Sequence, residues 1–344
     1  MNHAALIWHN GKLTPWAEAT VHVSAHALHY GSSVFEGERV YATPRGPCYF
    51  RLEDHTRRLF ESARMYEIEI GYGEDDINEA CRALIRANGM TSAYVRPIAF
   101  RGAAGLGVVP TEGAPVDVSI LALDWGAYHG DARERGADVC ISSWTRPAPN
   151  TLPSWAKAGG NYLSSQLIGF EAKRGGYAEG IALGTNGLLS EGAGENLFVL
   201  KRGKLLTPPT SAGILAGITR DSVIALAGDL GIEVEERDLP REALYAADEV
   251  FMTGTAAEIT PIRSVDRKPV GNGTPGPITR ALQDAFFGLF EGRTPDRRGW
   301  LAPVHDEVEA IDEAAVREKC GQGGPLFDSR DHGRSQKQTV GVAA

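Results

Sequence analysis

The chain has few of the features that point to a metal, a membrane or a nucleic acid. Its four cysteines lie far apart and form no CxxC pair, which argues against a zinc site and a disulfide framework. No apolar run approaches ~20 residues, the length that crosses a bilayer. No run of lysine or arginine resembles a basic footprint, so nucleic acid is not expected as a partner. We therefore expect no metal, no membrane association and free thiols in a reducing compartment.

What the sequence does contain is typical of a globular protein. Hydrophobic residues make up 42% and charged residues 23% of the 344 positions, and a chain of this length can bury a sizeable core. The first ten residues lack the charged and apolar regions of a secretion signal. A cytoplasmic enzyme is therefore expected.

The hydrophobic pattern predicts an α+β fold in two domains. Residues 1–123 are expected to form a small N-terminal domain and residues 137–304 a larger C-terminal one, both α+β. Residues 124–136, with two large aromatic residues beside glycines, suit an interdomain loop that presents side chains to a ligand. Residues 321–344 are rich in glycine, serine, glutamine and charge, and we expect the extension over residues 305–344 to be disordered or loosely docked.

The spacing of apolar residues predicts the main helices and strands. Helices are expected over residues 52–66, 76–88, 163–174, 219–230 and 277–290, with a short acidic helix over 305–317. Strands are expected over residues 34–41, 93–100, 116–123, 180–183, 197–201, 204–207 and 249–252. Asp54 is a candidate N-cap for the first helix, and Asn10-Gly11 predicts a hairpin near the start of the chain.

Lys157 has unusual surroundings for a lysine. The sequence contains only eight lysines, and this one lies among small residues in the segment SWAKAGGNY, with a double glycine after it. The glycines would let a bulky group approach the backbone, and a desolvated lysine is a stronger amine nucleophile. A structural lysine whose apolar stem lies along the protein surface fits the same context. Local sequence alone leaves both interpretations open.

A carboxylate and two anion sites could accompany such a lysine. Glu191 and Glu195 lie in a glycine-rich turn before an apolar strand, as solvated turn residues or as a partner for a ring nitrogen. Residues 215–220 (LAGITR) lead into a predicted helix whose first N–H groups favour a phosphate, although Thr219 also fits a plain N-cap. Residues 252–258 (MTGTAAE) form a turn of small residues that could bind an anion. Each signal is weak alone, but together they supply an amine, a ring-nitrogen partner and two anion sites.

Five motifs resemble those of a known family. They are residues 29–37 (HYGSSVFEG), 93–97 (AYVRP), 157–162 (KAGGNY), 191–198 (EGAGENLF) and 254–258 (GTAAE). In this order they resemble the fold-type IV pyridoxal-phosphate enzymes, and within them the bacterial branched-chain amino acid aminotransferases. The resemblance covers about residues 5–304 and does not extend to the segment from 305 onward. It implies the two-domain, D-amino acid aminotransferase-like architecture.

The resemblance implies a role for each residue of the cofactor site. Lys157 would form the covalent bond to pyridoxal 5'-phosphate and then move the proton between the substrate Cα and the cofactor. Tyr162 would hydrogen-bond the cofactor's phenolic oxygen, and Glu191 its pyridinium nitrogen. Arg58 would bind the phosphate through a charge-assisted bidentate contact, with the adjacent Arg57 as the alternative. The other implied cofactor-binding residues are Leu215, Ile218, Thr219 and Thr255.

The substrate pocket implied by the resemblance must accept an apolar side chain and, in the second half-reaction, the carboxylate of glutamate. Arg96 would bind the distal carboxylate, and Tyr94 with the backbone at Thr255 and Ala256 would bind the α-carboxylate. The pocket walls would come from Tyr30, Phe35, Val108, Trp125 and Tyr128. Without the resemblance, Phe35 and Val108 would be read as ordinary core residues and Arg96 as a surface ion-pair residue.

The resemblance also implies an assembly and a reaction. Tyr30 and Val108 would reach in from a neighbouring subunit, so a homodimer is the smallest active unit, and a hexamer is a further possibility. The implied reaction is reversible transfer of the amino group of L-leucine, L-isoleucine or L-valine to 2-oxoglutarate, the last step of branched-chain amino acid synthesis.

Two alternatives remain at this point. Another fold-type IV enzyme, such as a D-amino acid aminotransferase, an (R)-amine transaminase or aminodeoxychorismate lyase, is the first. The strand at residues 94–97 and the loop at 125–128 are more similar to the L-branched-chain group. A non-catalytic protein on the same fold is the second, and it would be expected to have lost Lys157 or Glu191, which are both present.

Overall fold

Helices and strands are interspersed along the described part of the chain, which in this computed structural model comprises residues 2–103, 105–124 and 131–305. The strands are β1 (Asn2–His3), β2 (Leu6–His9), β3 (Lys12–Pro15), β4 (Ser33–Phe35), β5 (Glu38–Thr43), β6 (Gly46–Phe50), β7 (Ala93–Arg101), β8 (Val116–Asp124), β9 (Ala137–Ile141), β10 (Glu179–Leu183), β11 (Leu189–Gly192), β12 (Asn196–Lys201), β13 (Lys204–Thr207), β14 (Val234–Glu236), β15 (Glu249–Gly254), β16 (Glu258–Val265), β17 (Lys268–Pro269) and β18 (Leu301–Pro303). The α-helices are α1 (His26–Tyr30), α2 (Leu52–Met65), α3 (Glu74–Asn88), α4 (Ala132–Arg135), α5 (Tyr162–Arg174), α6 (Ile218–Asp229), α7 (Glu242–Tyr245) and α8 (Pro277–Phe290). Short 3-10 turns lie at Trp16–Glu18, Gly159–Asn161 and Thr210–Ala212.

The strands form two sheets, each with nine strands within the described ranges. The first sheet has the order β18-β6-β5-β7-β8-β2-β3, with β1 beside β8 and β4 beside β7, and its pairs are antiparallel. The second has the order β11-β10-β9-β16-β15-β12-β13-β14, with β17 beside β16. It is mixed, because β9 runs parallel to β10 and β16, and β13 runs parallel to β14. The last strand of the described residues, β18, lies at the edge of the first sheet.

The first sheet packs against α2 and α3. Leu59 and Ala63 of α2 and Ile77 and Leu84 of α3 are buried in one core with the residues of β5, β7 and β8 that face the helices. These apolar positions recur at three- and four-residue intervals, so each helix presents one apolar face to the sheet. Gly89, with φ +60°, ends α3 in the left-handed conformation that glycine adopts without strain.

The second sheet is buried on both faces. In β12, Leu197 and Val199 belong to one core, whereas Phe198 and Leu200 belong to another that includes residues of α6 and α8. Because successive side chains of a strand point to opposite faces, a strand covered on both sides is apolar throughout. This explains why residues 197–200 (LFVL) form a continuous apolar run that does not alternate with polar residues.

Most element predictions agree with the structure. The α+β class is confirmed, and the predicted strand at 204–207 and helix at 277–290 match β13 and α8 in their bounds. The predicted hairpin is also present, because β2 and β3 pair around Asn10 and Gly11, with φ values of 46° and 85°. The domain boundaries at 123 and 137 stay predictions.

Three local predictions were wrong. The strand expected over 34–41 is interrupted between β4 and β5, at Glu36-Gly37. Asp54 is not the N-cap of α2, which begins at Leu52; Asp54 lies in the first turn and bonds Arg51 instead. Thr219 is not the N-cap of α6, since that helix begins at Ile218 after Gly217. Apart from His305, the extension and its predicted helix lie outside the described residues.

Candidate active site

A cavity of about 500 Å³ brings together side chains from both sheets. Its lining comes from β4 and β7 of the first sheet, from β11 and the β15–β16 turn of the second, and from α2, α5, α6 and the segment at Lys157. Twelve residues predicted for the cofactor and substrate sites line it: Phe35, Arg58, Tyr94, Arg96, Lys157, Tyr162, Glu191, Leu215, Ile218, Thr219, Thr255 and Ala256. Residues that are far apart in sequence therefore form one site.

Lys157 is fixed at its backbone and presents its amine to the cavity. Its N–H donates to Ser62 Oγ at 2.9 Å, and its carbonyl accepts the N–H of Phe35 at 3.0 Å. Its Nζ donates to the Tyr162 hydroxyl at 2.8 Å and lies 5.1 Å from the centre of the Phe35 ring. The amine thus has a defined position beside a hydroxyl and an aromatic wall.

The double glycine after Lys157 makes room for the chain's own backbone. A Cβ on Gly159 would overlap Ser33 Oγ, and Gly160 lies against Gly31. The sequence suggested an approaching ligand at this point, but the neighbour is the segment that leads into β4. The glycines therefore let the lysine segment pack closely against the first sheet.

Glu191 is buried with both carboxylate oxygens bonded. Oε1 lies 2.8 Å from the Arg146 guanidinium, and Oε2 accepts the Asn196 amide at 3.0 Å and the Leu215 N–H at 3.1 Å. Burial raises the pKa of Glu191 above its ordinary value, and Arg146 together with the Leu215 N–H opposes that rise. The arrangement orients the carboxylate and makes it suited to accept a hydrogen bond from a ring nitrogen.

Arg58 is held by a buried carboxylate. Its Nε and one Nη donate to the two oxygens of Glu36 at 2.6 and 2.8 Å, and the other Nη donates to the Ala216 carbonyl at 3.0 Å. Burial alone would raise the pKa of Glu36, but Arg58 and His55 outweigh it and hold that pKa well below its ordinary value. Arg57 is exposed and bonds Asp54. Of the two neighbouring arginines, Arg58 is therefore the one that lines the cavity, and two of its five N–H donors have no acceptor among the described residues.

The start of α6 offers further donors. The first N–H groups, at Ile218 and Thr219, have no carbonyl acceptor within the helix, and Gly217 before them has no side chain that could cap them. A Cβ on Gly217 would overlap Asn196 Oδ1, so glycine is required for this close approach. Among the described residues, the buried Thr253 hydroxyl has no hydrogen-bond partner. Arginine, free N–H groups and threonine hydroxyls form a donor set that fits a phosphate monoester.

The substrate side combines an arginine with aromatic walls. An Arg96 Nη donates to the Tyr94 hydroxyl at 2.7 Å, and the guanidinium carbon lies 4.5 Å from the centre of the Phe35 ring. Arg96 Nε is buried and has no hydrogen-bond partner in the part of the chain that the structure describes. A Cβ on Gly37 would overlap the Tyr94 hydroxyl. The wall is thus apolar, with one cation at its edge.

Two predicted pocket residues, Tyr30 and Val108, do not line the cavity within this subunit. Tyr30 and Val108 are 42% and 74% exposed, and Tyr30 donates its hydroxyl proton to the Leu106 carbonyl at 2.6 Å. Trp125 and Tyr128 lie outside the described residues. Within the described ranges, no cluster of histidine, cysteine and acidic residues could hold a metal ion, and no helix is long and apolar enough to cross a membrane.

Sequence reasoning missed several residues of the site. Arg146 lies in an irregular segment between β9 and the lysine, where no periodic pattern marks it. Ser62 and Glu36 are polar residues whose hydrogen-bond partners are distant in sequence. Asn196 could have been found, because it follows Glu195 in the glycine-rich motif and begins an apolar strand.

Comparison with known proteins identifies the family. A model of the amino-transferase class IV family matches residues 33–265. The branched-chain-amino-acid aminotransferase of Escherichia coli strain K12 is 57% identical over 303 residues, which cover 88% of this chain and 98% of that protein. A crystal structure of the Escherichia coli enzyme has a TM-score of 0.87, with 57% identity, 88% coverage of this chain and 100% of that chain.

Structures of the T.th. branched-chain amino acid aminotransferase are also similar, with a TM-score of 0.84, 43% identity, 89% coverage of this chain and 100% of theirs. They are described with pyridoxamine 5'-phosphate, with N-(5'-phosphopyridoxyl)-L-glutamate and with 4-methylvaleric acid. The chain belongs to the class IV aminotransferases, with their fold-type IV architecture, and it is a transaminase. Within that class, it belongs to the branched-chain amino acid aminotransferase family.

Proposed function

We propose that the chain binds pyridoxal 5'-phosphate and transfers the amino group of L-leucine, L-isoleucine or L-valine to 2-oxoglutarate. The products are the branched-chain 2-oxo acid and L-glutamate, and the reaction is reversible. The observation that carries the proposal is the Lys157 amine, 2.8 Å from the Tyr162 hydroxyl, in one cavity with Glu191 and Arg58. A cytoplasmic location is part of the proposal.

The residues around the cavity fit this cofactor. Arg58, the N–H groups at Ile218 and Thr219, and the Thr255 side of the cavity would hold the phosphate. Glu191 would accept the hydrogen bond of the ring nitrogen, and the Leu215 N–H fixes that carboxylate. The T.th. relative is described with pyridoxamine 5'-phosphate, which supports the same cofactor here.

The protein's own groups then perform the proton transfer. When bound, pyridoxal 5'-phosphate supplies an electron sink for the negative charge that develops at the substrate Cα. Lys157 Nζ takes the proton from that Cα, and Tyr162 orients the amine through its hydroxyl. Arg146 faces Glu191 and favours its ionised form, which is the form that can stabilise a positive charge on the ring.

The pocket must hold two different substrates. Phe35 gives an apolar surface for the branched side chain, and Arg96, with a buried Nε that lacks a partner among the described residues, would bind the distal carboxylate of 2-oxoglutarate. The Tyr94 hydroxyl and the backbone at Thr255 and Ala256 would receive the α-carboxylate. The T.th. relative is described with 4-methylvaleric acid and with a glutamate derivative, which supports one pocket for both kinds of side chain.

The assembly is proposed to be at least a homodimer, with a hexamer as a possible higher assembly. Tyr30 and Val108 are exposed on their own subunit, and the neighbouring Val109 is 82% exposed. His26 anchors this exposed segment, since its Nε2 lies 3.0 Å from the Gly107 carbonyl. Apolar side chains on a fixed segment suit insertion into the pocket of a second subunit.

A panel of amino donors and acceptors, assayed with the purified protein and added pyridoxal 5'-phosphate, tests the reaction. L-leucine, L-isoleucine and L-valine should react with 2-oxoglutarate, and Lys157→Ala should abolish both turnover and the visible absorbance of cofactor bound to the lysine. The circular dichroism of that variant should match the unmodified protein. Lys173→Ala, at the rim of the same cavity, is the matched control and should keep the absorbance. Faster reaction with D-alanine than with L-leucine, or normal turnover by Lys157→Ala, would contradict the proposal.

A further inference from the structure

A second pair of carboxyl groups lies in the cavity and has no role in the reaction as described so far. Glu179 is the first residue of β10, and Glu195 directly precedes β12. Both line the cavity, and only 6% and 4% of their surfaces are exposed. Their side chains hydrogen-bond to each other. Each carboxylate oxygen is only an acceptor when ionised, so a hydrogen bond between two carboxyl groups requires a proton on one of them.

The surroundings of the pair favour this proton. Burial, followed by the charge of Glu195, raises the pKa of Glu179 to about 9. Among the described residues, ionisable groups that interact electrostatically with the pair include Cys140 from β9 and Glu191 from β11. Both of these groups are acids, and ionised Glu191 adds further negative charge near Glu195. A doubly ionised pair would therefore be costly at neutral pH.

The pair also ties together two parts of the second sheet. Glu179 accepts the N–H of Gly180 at 2.6 Å and a backbone hydrogen bond from Ala193. Glu195 accepts the N–H of Gly194 at 3.0 Å, and its own carbonyl accepts the N–H of Gly192 at 2.7 Å. The contact thus links the start of β10 to the turn between β11 and β12.

That turn determines where Glu191 lies. Glu191 precedes the turn and Asn196 follows it, and the Asn196 amide donates to Glu191 Oε2 at 3.0 Å. Asn196 also donates to the Leu215 carbonyl at 2.9 Å. A displacement of the turn would therefore move the carboxylate and the segment that leads into α6 together.

We propose that Glu179 and Glu195 share one proton and act as positioning residues, which hold the turn between Glu191 and Asn196 in the shape that binds the cofactor. Loss of the proton to solvent at alkaline pH leaves two charges in contact, so the turn opens and cofactor affinity falls. The shared proton is inferred from the contact and burial of the two carboxyl groups, whereas the effect on the cofactor rests on the proposed function.

The sign of the pH dependence follows from the raised pKa. The folded protein keeps its proton up to about pH 9, whereas an unfolded glutamate loses it near its ordinary pKa of 4.5. The stability due to this group is therefore complete below about pH 4.5, declines as the pH rises and is lost by about pH 9. Across that window the unfolding equilibrium should shift by about tenfold per pH unit for one proton.

Glu179→Gln and Glu195→Gln test the shared proton, because an amide can donate to the remaining carboxylate without a proton that titrates. The Tm of the full chain is measured across that pH window, with and without pyridoxal 5'-phosphate. The Tm of the unmodified protein should fall relative to both variants as the pH rises. Glu242→Gln replaces an exposed glutamate in α7, so its Tm should differ from that of the unmodified protein by the same amount at every pH. If the Tm differences of Glu179→Gln and Glu195→Gln from the unmodified protein were also the same at every pH, the shared proton would be overturned.

Infrared spectroscopy gives a second measurement that does not depend on how stable the variants are. The unmodified protein at neutral pH should show the carbonyl stretch of a neutral carboxyl group that each glutamine variant lacks in a difference spectrum. Absence of that difference would also overturn the shared proton.

The positioning role is tested by titrating pyridoxal 5'-phosphate into each protein at neutral and at alkaline pH. The dissociation constant should rise at alkaline pH more in the unmodified protein than in Glu179→Gln, since only the former loses the shared proton. An equal rise in both would overturn the positioning role while leaving the shared proton intact. If the unmodified protein bound no pyridoxal 5'-phosphate at any pH, the proposed function would fail, and the Tm result would still decide on the proton.

Discussion

The charge of Glu191 depends on the side chain that faces it. Burial raises the pKa of this carboxyl group, and the Arg146 guanidinium at 2.8 Å opposes the effect. Arg146 is buried as well, with a further bond to Ser165 Oγ at 3.2 Å. Removing one member of a buried ion pair leaves the other charge without compensation, which costs more than the pair itself contributes.

Arg146→Met should therefore lower both stability and cofactor affinity. We expect the free energy of unfolding to fall by about 3 kcal/mol, measured by urea denaturation. Arg57→Met is the matched control, because Arg57 is exposed and bonds only to the half-exposed Asp54 among the described residues. The control should change stability by less than about 1 kcal/mol. Equal losses in the two variants would show that the buried pair with Glu191 has no special effect.

At the level of single residues, chemistry that depends on distant partners could not be predicted from local sequence. Lys157 was distinguished by its small neighbours, but its Ser62 and Phe35 contacts come from other segments. The choice of Arg58 over Arg57 came from the resemblance and agrees with their exposure. Arg146 carried no signal, because nothing in its own segment indicates that Glu191 lies beside it.

Helix α6 requires glycine directly before its first residue but has room for a side chain at a second glycine further along. A Cβ on Gly217 would overlap Asn196 Oδ1, whereas a Cβ on Gly228, inside the same helix, would meet no atom within 4 Å. The two glycines therefore provide a comparison within one element. Gly217 lies at the N-terminus that we propose as part of the phosphate site, and Gly228 is remote from it in sequence.

Gly217→Ala should weaken cofactor binding, because the helix start or Asn196 must shift, and Asn196 bonds Glu191. We expect at least a tenfold rise in the dissociation constant of pyridoxal 5'-phosphate, equal to about 1.4 kcal/mol. Gly228→Ala should leave that constant unchanged and raise the free energy of unfolding by up to about 1 kcal/mol, since alanine favours helices. Weaker cofactor binding by Gly228→Ala, or unchanged cofactor binding by Gly217→Ala, would argue against this explanation.

Elements were predictable where periodicity determined them. The helices at α3 and α8 follow from apolar spacing and glycine or proline at their ends. The break between β4 and β5 could not be predicted from periodicity, because the contacts of Glu36 and Gly37 that interrupt the strand are made with distant segments. Glu36 turns inward to bond Arg58, and Gly37 makes room for the Tyr94 hydroxyl.

The molecule as a whole is completed by its last described strand. β18 pairs with β6, with Leu301 opposite Phe50 and Pro303 opposite Cys48. Trp300 and Val304, on either side of β18, are buried. The described residues up to His305 belong to one compact unit. The Escherichia coli relative matches 303 residues, which is 88% of this chain.

Two shortened chains should therefore behave differently. A chain that ends at His305 should fold and keep cofactor binding, because the residues that form both sheets are retained. A chain that ends at Gly299 lacks Trp300 and β18, so it should lose several kcal/mol of stability from the removed apolar burial. The Tm of each purified chain provides the measurement. If both chains melted alike, β18 would have no part in holding the first sheet.

For the molecule as a whole, the sequence predicts the class of fold but not the strand pairing that completes the first sheet. An α+β protein follows from the order of helices and strands, whereas the pairing of β18 with β6 joins Leu301–Pro303 to Gly46–Phe50, which are far apart in sequence. Short strands of three residues also carry too little pattern to be recognised. Pairing over such a separation is set by tertiary packing and has no local signature.

The position of β18 has a consequence for synthesis on the ribosome. Translation proceeds from the N-terminus, so β1 to β8 emerge first, but the edge of their sheet beside β6 stays open until residue 303 has left the exit tunnel. By then β9 to β17 have all emerged. The sheet that begins first is therefore completed last, and a nascent chain stalled before residue 300 would expose the backbone edge of β6 to other strands.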